Sequence, residues 1–264
     1  MGKFRHLILL IFYINVTPDR ESNTIRNRKE TDMQVPSGAV YERRDFDILL
    51  DMAKFGFVRY NETPFKLKSG ILSNVYVFGR EDLTDNPQLE WLAGAKIASI
   101  VYNHTHDLDK RQPCLIGIPT AGNALAQATA MVSFQLHRLS LPIAHRVMRE
   151  QLKQHGAHST WVNGKPNLSH QRYWMVDNVA TDGKSKLETA EKLEADGYPA
   201  KQMPCLIWID RQQGAVPRLK AAGFEQVIVV YNLLDITYAF GVMGLWPDSA
   251  VIAVEEEIKA HQFT

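Results

Sequence analysis

One stretch near the middle of the chain constrains the fold more than any other. Residues 173–176 form an apolar run typical of a buried strand, and Asp177 follows it directly. A short polar loop containing Gly183 then leads into residues 186–197, which carry helix-forming residues and end on a glycine. Strand, loop and helix in this order form the geometry in which helix N-terminal N–H groups bind an anion, usually a phosphate. The apolar positions of the predicted helix are Leu187, Ala190 and Leu193.

The rest of the chain repeats this alternation of strands and helices. Such a repeat predicts a parallel, doubly wound α/β sheet with right-handed crossovers. Ligands bind beyond the carboxyl ends of the strands in such a sheet, so we expect Pro119, Asp177 and Asp210 on one edge. Predicted strands lie at 114–118, 143–147, 204–209 and 226–230, and predicted helices at 43–55, 87–102, 122–137, 215–222, 232–242 and 248–260.

The segment between the first two helices has a different pattern. Residues 57–60 and 65–68 read as short strands around a turn at 61–64, and residues 75–78 resume as a strand. The polar stretch 148–171 shows little periodicity, and a long loop inside a compact domain is typical of a binding loop.

The N-terminus has a different composition from the remainder. Apolar residues 7–14 follow a basic start, but the run is too short to span a bilayer as a helix. A signal peptide is the alternative, although no small-x-small cleavage site follows. We expect residues 1–32 to be a mobile extension and residues 33–264 to form the folded domain.

Overall composition is ordinary, with a net charge of +1 and 22% charged residues. This balance gives no reason to expect nucleic acid or a membrane as a partner, and we expect a cytoplasmic protein. Cys114 and Cys205 lie in apolar, strand-like runs and are expected to be buried thiols, with neither a disulfide framework nor a zinc spacing.

The central stretch resembles the phosphoribosyl pyrophosphate (PRPP) signature of type I phosphoribosyltransferases. In that signature a buried strand ends in two acids, and a Thr-x-Gly-Thr/Ser loop follows. The resemblance implies that Asp177 and Asn178 face the ribose hydroxyls and that the loop holds the 5′-phosphate. The implied phosphate-binding residues are Thr181, Asp182, Gly183, Lys184 and Ser185.

Four further segments resemble orotate phosphoribosyltransferases, including the form fused in UMP synthase. The segments occur in the same order as in the family and cover about residues 43–245. The resemblance implies the parallel sheet of type I phosphoribosyltransferases with a small N-terminal hood. It also implies that residues 33–264 form the phosphoribosyltransferase domain. The segments are 65–70 continuing to 73–76 (Leu-Lys-Ser-Gly, then Ser-x-x-Tyr), 117–122, 149–156 (Arg-x-x-x-Lys-x-His-Gly) and 210–214 (Asp-Arg-x-x-Gly).

This resemblance implies an enzyme of pyrimidine (UMP) biosynthesis that transfers phosphoribosyl from PRPP to orotate. The products are orotidine 5′-monophosphate and pyrophosphate. Lys68 would contact PRPP or orotate, Thr120 and Ala121 would lie on the pyrophosphate side, and Arg211 would pair bidentately with the orotate carboxylate.

The implied catalytic residues are Asp177 and three members of the polar loop. Arg149, Lys153 and His155 would neutralise the departing pyrophosphate while water is excluded. By the resemblance, this loop reaches across a homodimer into the neighbouring site. The implied cofactor is Mg²⁺, held mainly by PRPP rather than by protein ligands.

Several residues depart from the family pattern. Asn178 replaces the second acid, Asp182 stands where the family has a small neutral residue, and Glu150 replaces a cation of the catalytic loop. Lys184 adds a cation that could offset Asp182. These changes keep open two alternatives, a phosphoribosyltransferase for another base and a catalytically weakened PRPP- or nucleotide-binding regulator.

Overall fold

A five-stranded parallel sheet forms the centre of the structure, a computed structural model that describes residues 32–66, 70–77, 85–105, 109–136, 141–150, 160–162 and 167–262. The strands lie in the order β6-β5-β7-β8-β9, so the chain reverses its direction of winding beside β5. This is the doubly wound order that the sequence predicts. The strands are β5 (Gln112–Gly117), β6 (Ala144–Val147), β7 (Gln171–Ala180), β8 (Cys205–Asp210) and β9 (Val227–Asn232).

Helices cover both faces of this sheet. Side chains of β7 alternate between the faces, because successive residues of a strand point in opposite directions. Trp174 and Val176 pack in one core with α1, α2, α3 and α6, whereas Tyr173 and Met175 pack in a second core with α4 and α5. The helices are α1 (Arg43–Lys54), α2 (Pro87–Asn103), α3 (Ala121–Leu136), α4 (Lys184–Ala195), α5 (Ala215–Ala221), α6 (Leu233–Val242) and α7 (Asp248–Ala260).

Two small antiparallel hairpins precede the main sheet. The first joins β1 (Met33–Gln34) to β2 (Val40–Tyr41), and the second joins β3 (Val58–Lys66) to β4 (Leu72–Val77). The turn expected at 61–64 is wrong, because β3 runs through it with only a shift in register between Tyr60 and Phe65.

The predicted fold class is confirmed, with one difference that matters for the site. The strand β7 continues past Asp177 to Ala180, so Asp177 lies inside the strand instead of at its end. Of the expected extension at residues 1–32, only Asp32 is among the described residues.

Both cysteines are free and buried, and burial raises the pKa of each thiol to about 12. Among the described residues, no helix combines the length and apolar character needed to cross a membrane.

Candidate active site

The turns that follow β5, β7 and β8 lie side by side at the carboxyl edge of the sheet. The pairing of Gly117 with Val176, and of Ala180 with Asp210, brings the three strand ends together. Arg211 continues this register, because its backbone N–H donates to the carbonyl of Ala180. The structure therefore brings the predicted residues around Thr120, Thr181 and Arg211 onto one edge.

The β7–α4 turn (residues 181–183) leads directly into a helix N-terminus. Gly183 has a φ of +78°, a left-handed conformation that favours glycine, and it packs against the backbone of Ala215. Thr181 and Asp182 are half-buried at the edge, and the α4 helix begins at Lys184. This is the anion-binding geometry expected from the sequence.

Asp177 forms a buried ion pair with Lys186, a residue that the sequence reasoning missed. The Nζ atom of Lys186 lies 2.5 Å from Oδ2 of Asp177 and also donates to the carbonyl of Val179. The other carboxylate oxygen accepts the backbone N–H of Asn178 at 2.9 Å, and Ser185 Oγ lies 3.4 Å from Oδ2. Since Asp177 is only 5% exposed, its carboxylate faces the protein interior, and Asn178 is the more exposed of the two.

The position of Lys186 could have been inferred from helical spacing. The buried residues of α4 are Lys186, Thr189, Ala190 and Leu193, spaced as one face of a helix, whereas Leu187 is half-buried. Leu187 packs at the margin of the same core as Ala190 and Leu193, so the expected apolar face is confirmed and Lys186 extends it. A lysine on the buried face of a helix needs a carboxylate partner, and Asp177 is the one it reaches.

Among the described residues, the cation closest to the Asp182 carboxylate is Arg218, whereas the sequence suggested Lys184. Lys184 points outward, with its side chain 70% exposed and its Nζ 3.8 Å from Glu188. Arg218 of α5 instead lies 3.7 Å from the Asp182 carboxylate and donates to its carbonyl. The backbone N–H of Lys184 donates to Asp182 Oδ1 at 3.1 Å, so the aspartate already occupies one of the turn's donors.

The turn after β5 presents a second helix N-terminus to the same edge. The peptide bond between Pro119 and Thr120 is cis, and α3 begins at Ala121. A Cβ on Gly122 would lie 2.3 Å from the carbonyl oxygen of Val176, so only glycine permits this close approach. The hydroxyl of Thr120 donates to Glu150 Oε2 at 3.2 Å, which places an anion beside the turn.

Arg149 stands at the base of the predicted catalytic loop. Its backbone N–H donates to Thr160, and Met148 pairs with Trp161, so the two ends of the loop form an antiparallel stem. The Nε of Arg149 is buried without a hydrogen-bond partner in the described structure. The Trp161 ring N–H donates to Asp196 at the end of α4, which ties the stem to the helix of the β7–α4 turn.

Three of the predicted site residues lie outside the described part of the chain. They are Lys68, Lys153 and His155.

Arg211 lies in the β8–α5 turn (residues 211–214), but its guanidinium is bound by the protein itself. It is 3% exposed, and its Nη2 lies 2.7 Å from Oε1 of Glu257 in α7. Nη1 donates to the carbonyl of Val75, Nη2 also donates to Ser73 Oγ, and Nε lies 3.4 Å from Gln213 Oε1. Each nitrogen of Arg211 therefore has a partner within the chain.

Asp210 precedes this turn and is also buried. Burial raises its pKa, whereas the N–H of Gln212 and the charge of Lys186 act in the opposite direction. The charge of Lys186 therefore acts on two carboxylates, on Asp177 through a direct ion pair and on Asp210 through space.

No group of three His, Cys, Asp or Glu side chains able to hold a metal occurs among the described residues. The carboxylate of Asp177, the acid that the resemblance directs to the ribose, is already paired with Lys186. The Asp177 carboxylate would therefore have to leave Lys186 before it could bind a metal ion directly.

Proteins of similar sequence are orotate phosphoribosyltransferases, although no model of a protein family matches the chain. The protein from Nostoc sp. is 27% identical over 194 residues, which cover 72% of this chain and 84% of that protein. The protein from Aeropyrum pernix is 32% identical over 165 residues, which cover 62% of this chain and 79% of that protein.

Solved structures agree with this assignment. The crystal structure of the Aeropyrum pernix orotate phosphoribosyltransferase matches with a TM-score of 0.54 at 28% identity, covering 74% of this chain and 98% of that one. Leishmania donovani UMP synthase shares the fold with a TM-score of 0.63 at 19% identity, covering 81% of this chain and 42% of that one. The chain belongs to the orotate phosphoribosyltransferase family.

Proposed function

We propose that the chain transfers the 5-phosphoribosyl group of PRPP to orotate, giving orotidine 5′-monophosphate and pyrophosphate. The observation that carries this proposal is the meeting of three turns at one edge of the sheet. Two of them end in helix N-termini that suit phosphate groups, and the third carries an arginine that suits a carboxylate.

The chemistry assigns a role to each turn. A ring nitrogen of the base attacks C1 of the ribose while the bond from C1 to the pyrophosphate oxygen breaks. Thr181, Gly183 and Ser185 would hold the 5′-phosphate, and Thr120 with Ala121 would face the pyrophosphate. The buried Nε of Arg149 without a partner supports a place for this residue near the leaving group.

Lys153 and His155 of the loop would complete the charge around pyrophosphate, and Lys68 would contact PRPP or orotate. Asp177 would act through Lys186 by fixing the backbone of the turn, and Asn178 would face the ribose. Mg²⁺ bound to PRPP would neutralise phosphate charge.

We further propose a cytoplasmic homodimer in which the loop serves the neighbouring site. Buried free cysteines suit a reducing compartment. Helix α3 exposes large apolar side chains at Met131 (66%) and Phe134 (71%), which suits contact with a second copy. Light scattering at several protein concentrations tests the dimer.

The direct test of the reaction is formation of orotidine 5′-monophosphate from PRPP, orotate and Mg²⁺. We expect turnover by the unmodified chain and a loss of at least about 100-fold in kcat for Lys153→Ala. Lys220→Ala removes an exposed lysine of α5 and serves as the matched control, with unchanged turnover expected.

A regulator that binds PRPP without turning it over is the second candidate. It is favoured by the carboxylates of Asp182 and Glu150, which lie beside the two phosphate-facing turns. Tight binding of PRPP with no nucleotide formed at any orotate concentration would support this candidate and contradict the enzyme.

A further inference from the structure

Glu257 sits in a complete carboxylate-binding site made by the chain itself. One of its oxygens accepts from Arg211 Nη2 at 2.7 Å and from Gln213 Nε2 at 2.9 Å. The other accepts from the hydroxyl of Ser73 at 2.5 Å. A guanidinium, an amide and a hydroxyl are the donors that a carboxylate ligand would need.

This site joins three parts of the molecule that are far apart in sequence. Ser73 belongs to β4 of the second hairpin, Arg211 and Gln213 belong to the β8–α5 turn, and Glu257 belongs to the last helix. All four side chains are at most 9% exposed. Because buried charges are costly unless paired and hydrogen-bonded, Glu257 and Arg211 hold each other in place.

We propose that Glu257 is a built-in competitor for the carboxylate of the acceptor base, and thereby a residue that sets the affinity for orotate. The inference rests on the proposed function, which assigns Arg211 to that carboxylate. Both hydrogens of Arg211 Nη2 are used, on Glu257 and on Ser73, and either bidentate pairing of a carboxylate with a guanidinium needs Nη2. Orotate therefore gains a bidentate ion pair with Arg211 only by displacing Glu257.

Competition of this kind depends on the charge of the acceptor. Orotate carries a carboxylate and must exchange with Glu257, whereas uracil has the same ring without the carboxylate and makes no such exchange. Removing the negative charge of Glu257 therefore strengthens orotate binding selectively. A purely structural role for Glu257 would change the affinity for both bases together.

The experiment compares Glu257→Gln with the unmodified full-length chain by calorimetric titration of orotate and of uracil. Mg²⁺ and inorganic pyrophosphate are present, so that no transfer can occur. We expect the orotate dissociation constant to fall by about tenfold, with uracil affinity unchanged. Glu255→Gln, on the exposed side of the same helix, is the control and leaves both affinities unchanged.

A second variant covers the possibility that Glu257→Gln does not fold. Glu257→Asp keeps the negative charge but shortens the side chain by one methylene. The carboxylate therefore competes less strongly with orotate for Arg211, while Arg211 still has an ion-pair partner. The ratio of orotate affinity to uracil affinity should rise in the same direction, by a smaller factor. An unchanged ratio in a folded variant of either kind overturns the proposal.

The outcomes also separate this inference from the proposed function. Orotate binding that is equal in the unmodified chain and Glu257→Gln rejects the competitor and leaves the enzyme assignment standing. Orotate binding that appears only in Glu257→Gln supports the competitor. Absence of orotate binding in both folded chains rejects the competitor together with the orotate assignment.

Discussion

The β7–α4 and β8–α5 turns are built alike but are held in place differently. Each enters its helix through a glycine with positive φ, +78° at Gly183 and +109° at Gly214, and each lies beside a buried ion pair. The pair of the first turn lies within one strand-turn-helix unit. The pair of the second turn joins Arg211 to Glu257, 46 residues further along the chain.

This difference indicates how independent each turn is. The ion pair of the first turn joins two residues that are nine positions apart, Asp177 and Lys186, so both partners belong to the unit that forms the turn. The second turn shares its pair with the last helix and, through Ser73, with the β3–β4 hairpin. The position of the Arg211 guanidinium therefore depends on parts of the chain that lie far from it in sequence.

The largest expected effect comes from breaking the local pair. Lys186→Met leaves the buried carboxylate of Asp177 without its cation, and we expect the free energy of unfolding to fall by about 3–5 kcal/mol. Urea unfolding monitored by tryptophan fluorescence measures this change in the free energy of unfolding. Lys184→Met, at the exposed neighbouring lysine, should change stability by less than about 0.5 kcal/mol.

The paired variant Lys186→Met with Asp177→Leu separates charge from packing. Replacing both partners by apolar groups removes the unpaired charge, so most of the lost stability should return. A double variant as unstable as Lys186→Met alone would show that the ion pair is not what holds this turn.

Removing a contact between Ser73, Arg211 and Glu257 should cost less stability than breaking the Asp177–Lys186 pair, but it should loosen more elements of the fold. Ser73→Ala removes a buried hydroxyl that donates to Glu257 and accepts from Arg211, at an expected cost of about 1–3 kcal/mol. Hydrogen exchange should rise in β3–β4 and in α7 but not in α4. Faster exchange confined to β4 would contradict the coupling of the hairpin to the last helix.

A smaller effect is expected at the β7–α4 turn itself. Asp182→Asn removes an anion beside the helix N-terminus, so PRPP should bind about threefold more tightly, consistent with a charge interaction near a solvated surface. Glu194→Gln, exposed on the same helix, is the control. Weaker PRPP binding by Asp182→Asn would mean that Asp182 helps to hold the ligand.

The smallest effect is expected at the exposed pair of Arg218 and Asp182. Their side chains are 39% and 35% exposed, so Arg218→Gln should lower stability by less than about 1 kcal/mol. The difference in unfolding free energy between Arg218→Gln and the unmodified chain should vanish in high salt, because salt screens exposed charges. The loss of stability caused by Lys186→Met should persist, because that pair is buried. Unfolding at low and high ionic strength distinguishes the exposed pair from the buried one.

Local patterns predicted most of the fold because they report local structure. The continuous apolar run at residues 173–176 predicts a strand that is buried on both faces, and the structure has such a strand there, with Trp174 and Tyr173 in different cores. The pattern could not show that β7 continues to Ala180, because pairing with β8 extends the strand through polar residues.

The candidate site was less predictable for a similar reason. Helical spacing contained a signal for Lys186, since it shares a face with Ala190 and Leu193. No local pattern connects Arg211 to Glu257, because the contact depends on how α7 packs against β4 in three dimensions. The site residues at Lys68, Lys153 and His155 remain predictions from resemblance.

The central claim is that the two turns serve one ligand, and titration with orotidine 5′-monophosphate tests it most directly, since this nucleotide carries both a phosphate and the orotate ring. We predict that one nucleotide binds per chain and displaces both PRPP and orotate. Binding that displaces PRPP but leaves orotate bound, or displaces neither, would contradict a shared site.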